Sequence, residues 1–328
     1  MQADVVLEGG GVKGIGLVGA LSVLEESGYA FEKVAGTSAG AIVGSLVAAG
    51  TRTAELRELM EGLDYLRFKD PGLLDRFGFL GKGLSLLLEN GVYEGAYLSE
   101  WLGGLLAERG AATFGDLRLD DPGSSLPEDR RYRLVVMASD ISSGRLRRLP
   151  WDFRECYGLE PDGCPVSSSV RASMSIPFFY EPFRLEHTRT DDTGSHPAEV
   201  LLVDGGMLSN FPVDVFDRTD GRAPRWPTFG IKLSARPVTQ EAPQDISGPL
   251  GLIKAMVRTM TGFHDQLHLD DEAVLARTIF VDTTGVKATD FDLDLETQQR
   301  LYDNGRRAAE KFLETWDFEA YKARFRSI

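Results

Sequence analysis

Apolar positions near the start of the chain switch between two periods. Ala3 to Leu7 is a short, mostly apolar run, which predicts a buried strand. Leu17, Ala20, Leu21 and Leu24 then recur at helical spacing until Gly28, a natural C-terminal stop. Phe31 to Ala35 predicts a second strand, followed by the turn GTSAG and a second apolar helix, AIVGSLVAAG, ending at Gly50. Strand, helix, strand, helix in such quick succession argues for a parallel sheet covered by helices.

Further along, Thr53 is expected to cap a helix through Leu63, and Ser99 to cap the helix of EWLGGLLAERG. Strands are predicted at Tyr132 to Ala138, Arg145 to Leu149, Glu199 to Val203, Thr228 to Leu233 and Thr278 to Val281. Helices are predicted at Val166 to Met174, Leu250 to Leu267 and Glu296 to Trp316. Asp70 to Gly95, with Pro71 and six glycines, reads as irregular, and Thr188 to Pro197 as a polar surface insertion. No repeat, low-complexity tract or clear linker divides the chain. One α/β domain over residues 1–328 is expected, with irregular excursions near 64–95, 120–130 and 188–197.

Composition narrows the chemistry. With 328 residues, 42% of them apolar, the chain can bury a large core. A net charge of -14 opposes any sequence-blind grip on nucleic acid and any broad adhesion to anionic headgroups. Contact with a membrane would have to come through a local apolar or basic patch. Neither a signal peptide nor an unbroken apolar span of about eighteen residues is present, so the expected location is cytoplasmic, with peripheral membrane contact open. Cys156 and Cys164 are expected as free thiols.

Two glycine-rich stretches carry the candidate chemistry. LEGGGVKGIG satisfies G-x-G-x-x-G through Gly9, Gly11 and Gly14. A dinucleotide site would need an acid at the end of the second strand, and that strand runs instead into Gly36-Thr37-Ser38. GTSAG matches G-x-S-x-G, in which Gly36 and Gly40 make room for a sharp strand-to-helix turn that lifts Ser38 clear of the backbone. The alternative is a plain turn in which Ser38 only caps the next helix.

A serine nucleophile needs a base. The order Ser38, Asp204, His264 imitates an α/β-hydrolase triad, but that fold places its nucleophile after more strands than this chain provides. His187 and His196 bracket the polar insertion. His264 and His268 share a helical face in HDQLH, which lacks both the glutamate of H-E-x-x-H and a third ligand, so no metal site is expected. Asp204 is the stronger candidate, since it ends an apolar strand and is followed by Gly205 and Gly206, where the chain can reverse close to another strand. An Asx-turn aspartate is the other reading of that position. Amides of Gly9, Gly10 and Gly11 at a helix start suit an anion, whether phosphate or oxyanion.

Together, GGGVKG, GTSAG and the distant DGG resemble the patatin-like phospholipase family, and RASMSIPFFYEPF, NFPVDVF and DFDLDLETQQRLYDNGRRAAEKFL are similar to its bacterial branch. The resemblance implies a three-layer α/β/α fold around a mainly parallel sheet and a Ser-Asp dyad without histidine. Ser38 would be the nucleophile, Asp204 its base, and Gly9, Gly10 and Gly11 the oxyanion hole. Lys13 fills the basic position of the glycine motif, and Gly14, Gly36, Gly40, Gly205 and Gly206 support the turns. The implied activity is hydrolysis of fatty-acyl esters of phospholipids or lysophospholipids, without a cofactor, on membrane or micellar lipid. An acyltransferase using the same serine and a nucleotide- or anion-binding module are the alternatives. Phe77 to Leu88, and the helix bearing Leu250, Ile253, Val257, Met260 and Phe263, are read as acyl-channel lining, a bilayer contact or ordinary core.

Overall fold

In a computed structural model, the structure describes residues 1–63, 95–177, 179–191, 194–234, 255, 271–288, 290 and 292–326. The N-terminal alternation builds the centre of a sheet. β1 (Gln2–Leu7), α1 (Ile15–Glu26), β2 (Ala30–Thr37) and α2 (Ala39–Ala48) follow in order, with a 3-10 turn, Gly11–Gly14, between β1 and α1. Val5, Val6 and Leu7 are fully buried, because β1 lies between β2 and β7 (Thr228–Lys232), parallel to both. β3 (Leu134–Asp140) pairs in parallel with β2, and β8 (Thr278–Phe280) with β7.

Antiparallel strands complete the sheet. β4 (Arg145–Leu149) pairs with β3, and so does β6 (Gly194–Asp204), which forms a hairpin with β5 (Phe183–Asp191). The eight-stranded sheet is therefore mixed, parallel at its centre, with flanking helices in a three-layer α/β/α arrangement. The helices after α2 are α3 (Thr53–Glu61), α4 (Ala96–Glu108), α5 (Phe153–Tyr157), α6 (Val166–Ser173), α7 (Glu272–Leu275), α8 (Leu295–Leu313) and α9 (Phe318–Phe325). α1 is buried from Ile15 to Leu24 on every side, since α8 packs over it. α6 packs against α4, β3 and β6.

One detail of register sets up the site. Val136 pairs with Gly36 of β2 and Leu149 of β4, while Ala138 pairs with Arg147 of β4 and Asp204 of β6. A strand has two edges, and β4 occupies one from Val136 to Asp140. β2 and β6 must then share the other edge and meet end to end, with Thr37 beside Met137 and Asp204 beside Ala138. The end of β2 and the end of β6 are thereby brought face to face.

Three expectations need correction. Thr53 is the first helical residue of α3, not its cap, and both its N–H and its hydroxyl donate to Glu25. Ser99 lies inside α4, whose cap is Gly95 with φ 71°. Thr188 to Asp191 and Gly194 to Pro197 are not an irregular insertion but continue the β5/β6 ladder, with Arg189 opposite His196. Backbone pairing at a sheet edge does not require the apolar alternation by which strands are read from sequence. Residues 64–94 lie outside the described residues, as do His264, His268 and the Leu250 to Leu267 helix. Among the described residues no helix is long and apolar enough to cross a membrane. Cys156 and Cys164 are free.

Candidate active site

Ser38 stands between β2 and α2 with φ 53° and ψ -124°, and is the one non-glycine residue of positive φ among the described residues. Such a conformation costs about 1–3 kcal/mol and persists only where neighbours enforce it. The neighbours are visible. A β-carbon on Gly36 would lie 2.2 Å from Gly40 O, and one on Gly40 would lie 2.3 Å from Leu7 O. Only glycine at both positions lets the turn close against β1.

The capping role is not what the serine performs. Its side chain makes no capping hydrogen bond to α2. The hydroxyl instead lies 3.3 Å from Met174 Sδ, and Ser38 is near enough to the Asp204 carboxyl to lower its pKa.

Asp204 is buried, and desolvation is the main reason its pKa is pushed up to about 6; hydrogen bonds from Ser38 and from the Gly206 N–H act in the opposite direction. Gly206 N–H donates to Asp204 Oδ1 at 2.8 Å, opening the short turn Gly205–Met207. The Asx-turn bond is therefore present, and the same buried carboxyl lies near enough to Ser38 for the serine to lower its pKa. Gly205 sits against Met137 O, where a β-carbon would come within 2.4 Å.

The glycine loop after β1 reaches the same place because β1 and β2 are neighbours, with Leu7 opposite Gly36. A β-carbon on Gly9 would lie 3.0 Å from Ser38 Cβ and 2.3 Å from Asn210 Oδ1. Among the described residues, the amides of Gly9, Gly10 and Gly11 donate to no protein acceptor. The next two amides are taken, Val12 N–H by Ala288 O and Lys13 N–H by Gly10 O. Gly10 faces Leu233, and Gly11, at φ 55°, faces Ala288 O. Gly14 closes the 3-10 turn.

Lys13 turns away from the serine. Its Nζ lies 3.4 Å from both Leu233 O and Thr283 Oγ1, on the β7 side, and burial lowers its pKa. On that side the buried Glu8 accepts from Lys232 Nζ and Leu233 N–H, tying the end of β1 to the end of β7.

Four contributors carried no assigned role in the sequence. Ser173, Met174 and Ser175 form a clamp at the C-terminal end of α6: Ser173 Oγ accepts Ser38 N–H at 2.9 Å, Met174 Sδ lies against Ser38 Oγ, and Ser175 O accepts Asp204 N–H at 2.9 Å. Asn210 bridges the two glycine loops, donating from Nδ2 to Gly9 O at 3.1 Å, and its Oδ1 sits beside Gly206. None of the four is titratable, so a search for acids, bases and nucleophiles passes over them. Of the histidines, His187 on β5 packs edge-on against Tyr157, and its buried Nδ1 has no hydrogen-bond partner among the described residues. His196 lies on β6 opposite Arg189. Among the described residues no cluster of three or more His, Cys, Asp or Glu is arranged to hold a metal ion.

The family model for patatin-like phospholipases matches residues 5–217. The uncharacterized protein YqhO of Bacillus subtilis (strain 168) is 37% identical over 323 residues, covering 97% of this chain and 100% of that protein. The uncharacterized NTE family protein Rv2565 of Mycobacterium tuberculosis (strain ATCC 25618 / H37Rv) is 27% identical over 222 residues, 66% of this chain but only 28% of that protein. Among solved structures, VipD from Legionella pneumophila has a similar fold, with a TM-score of 0.52 and 18% identity, covering 96% of this chain and 67% of that one. From its N-terminal glycine loop through the turn that follows Asp204, the chain belongs to the patatin-like phospholipase family.

Proposed function

We propose that the protein is a serine acyl hydrolase that cleaves fatty-acyl ester bonds of phospholipids or lysophospholipids. Family membership supports lipid hydrolysis in general. The observation that carries the finer reading is Ser38 itself, held at φ 53° with its hydroxyl withheld from helix capping, next to Met174 Sδ and near enough to the buried Asp204 carboxyl to lower its pKa.

In this mechanism Asp204 accepts the Ser38 proton as Oγ attacks the acyl carbonyl carbon. The negative charge that forms on the carbonyl oxygen is met by the unpartnered glycine amides, with Gly9 nearest the serine. As the tetrahedral adduct collapses, the C–O bond to the alcohol breaks and Asp204 returns the proton to the departing oxygen. Water, deprotonated by Asp204, then attacks the acyl-serine. The fatty acid leaves and Ser38 recovers its proton. An isolated aspartate is a weak base, with an ordinary pKa of about 3.9. Burial brings Asp204 closer to the range in which proton transfer from a hydroxyl is driven effectively.

The direct test is mass-spectrometric profiling of phospholipids and lysophospholipids incubated with wild-type protein or Ser38→Ala. Release of free fatty acid by the wild type alone is the expected result. Adding alcohol acceptors to the same reactions separates hydrolysis from acyl transfer, because a transferase would yield acylated acceptor instead.

Two further outcomes follow from the geometry. Gly9→Ala should lower kcat by about 100-fold or more, because its methyl group would collide with Asn210 Oδ1 and Ser38 Cβ and shift the nearest amide. Asn210→Ala removes the bond that holds Gly9 O and should lower kcat by roughly tenfold with KM little changed, the pattern of a positioning residue. Steady-state kinetics on short p-nitrophenyl esters, with circular dichroism as the folding control, measures both.

A further inference from the structure

A cavity of about 260 Å3 opens between α6 and the β5/β6 hairpin. Its walls are nearly all apolar, formed by Leu149, Phe153, Leu159, Phe183, Leu185 and Leu202. On the α6 side the small residues Ser168, Ser169 and Ala172 leave the space open. Burial pushes the Cys164 thiol at its rim up to about 11, in keeping with a wall of low polarity.

Two relations along the chain join this cavity to the catalytic residues. Ser169 lies one helical turn before Ser173, whose Oγ holds the Ser38 amide. Residues four apart on a helix have Cβ atoms about 5–6 Å apart. Leu202 precedes Asp204 by two residues on β6, so both side chains leave the same face of the strand, roughly 7 Å apart. One lining residue thus lies a helical turn from Ser173, which holds the Ser38 amide, and another lies one strand repeat from Asp204. Asp204 is the polar neighbour of a space otherwise hydrocarbon in character.

We infer that this cavity receives the acyl chain of the substrate, an inference that rests on the acyl-hydrolase reading of Ser38. An amphiphile with its ester at Ser38 and its tail between α6 and the hairpin would match both the polar pair and the apolar space beside it. Scaling from a cavity of about 150 Å3 that accommodates benzene, the available space holds a chain of about ten carbons. The protein should therefore favour medium acyl chains, and the residues that set this limit are Ala172, Phe183 and Leu185.

The experiment measures kcat/KM on p-nitrophenyl esters from acetyl to palmitoyl. Wild type should be fastest on octanoyl and decanoyl esters. Ala172→Phe and, as an independent filling variant, Leu185→Trp should lose roughly tenfold or more on decanoyl while holding acetyl turnover, since each methylene excluded from an apolar pocket is worth about tenfold or more. Phe183→Ala enlarges the cavity and should move the optimum to lauroyl or myristoyl, a change that mere destabilisation does not produce. In parallel, decanoate binding to Ser38→Ala, read by displacement of a fluorescent fatty acid, should be lost when Ala172→Phe is added. Esters hydrolysed with the same chain-length profile in all variants, or decanoate binding indifferent to Ala172→Phe, would overturn the assignment. Decanoate binding that depends on Ala172 in a protein that hydrolyses no ester would instead leave the cavity standing and remove the hydrolase reading.

Discussion

Ser38→Ala is expected to lower kcat/KM for ester hydrolysis by roughly 10^4- to 10^6-fold, the range found when a serine nucleophile is removed from a unit that acts together. The fold should survive, because Ser173 holds the backbone amide of position 38 and not its hydroxyl. Ser38→Gly gives the companion result. At φ 53° and ψ -124° any side chain is strained, at a cost of about 1–3 kcal/mol. Glycine relieves that strain and loses about 0.5–1 kcal/mol to chain entropy. The glycine variant should be inactive yet more stable than wild type by about 1 kcal/mol, seen as a higher midpoint in urea unfolding. A serine retained there at a cost in stability is what a functional requirement looks like. Unchanged activity in either variant, or Ser38→Gly less stable than wild type, would contradict this account.

The second large effect is on pH. With its pKa pushed up to about 6, Asp204 is neutral in acid and cannot accept the serine proton. The logarithm of kcat/KM should rise with pH at a slope near one below about pH 6 and level off above it. Stability runs the other way. A carboxyl whose pKa is higher folded than unfolded binds more protons in the native state, so its contribution is fully present in acid and lost as pH rises through the folded pKa. The ionised Asp204 therefore weakens the fold above about pH 6, by on the order of 3 kcal/mol. Burial also pushes Asp4 up to about 6, so the wild-type stability curve contains both groups. The difference between wild type and Asp204→Asn isolates one of them. The asparagine variant should match wild type near pH 4 and exceed it at pH 8, while losing roughly 10^4-fold in activity. Chemical denaturation at the two pH values measures this. An activity profile flat through pH 6, or no stability gain at pH 8, would contradict the assignment.

Much of this was legible in the chain because the chemistry lies at the ends of strands. The apolar runs of β1 and β2, each followed by glycines, place GGGVKG and GTSAG side by side once the two strands pair, and EVLLVDGG supplies the end of a third. What the pattern did not reveal came through contacts distant in sequence or through unpatterned polar strands. Nothing in RASMSIP announces that Ser173, Met174 and Ser175 each hold one element of the Ser38–Asp204 pair, since they bond through a hydroxyl, a thioether and a backbone carbonyl. The β5/β6 ladder through TRTDDTGSHP is held by backbone bonds that leave no apolar period. The charge on Lys13 was legible, but its direction was not, because that depends on Leu233 and Thr283 at the far side of β1.

The whole reaction scheme depends on Ser38 being a nucleophile activated by Asp204. Labelling of the wild-type protein with a fluorophosphonate, followed by peptide mass spectrometry, tests it most directly. A single phosphonylated residue, Ser38, is expected, with no adduct in Ser38→Ala and strongly slowed labelling in Asp204→Asn. An adduct on any other residue, or equal labelling rates in wild type and Asp204→Asn, would contradict it.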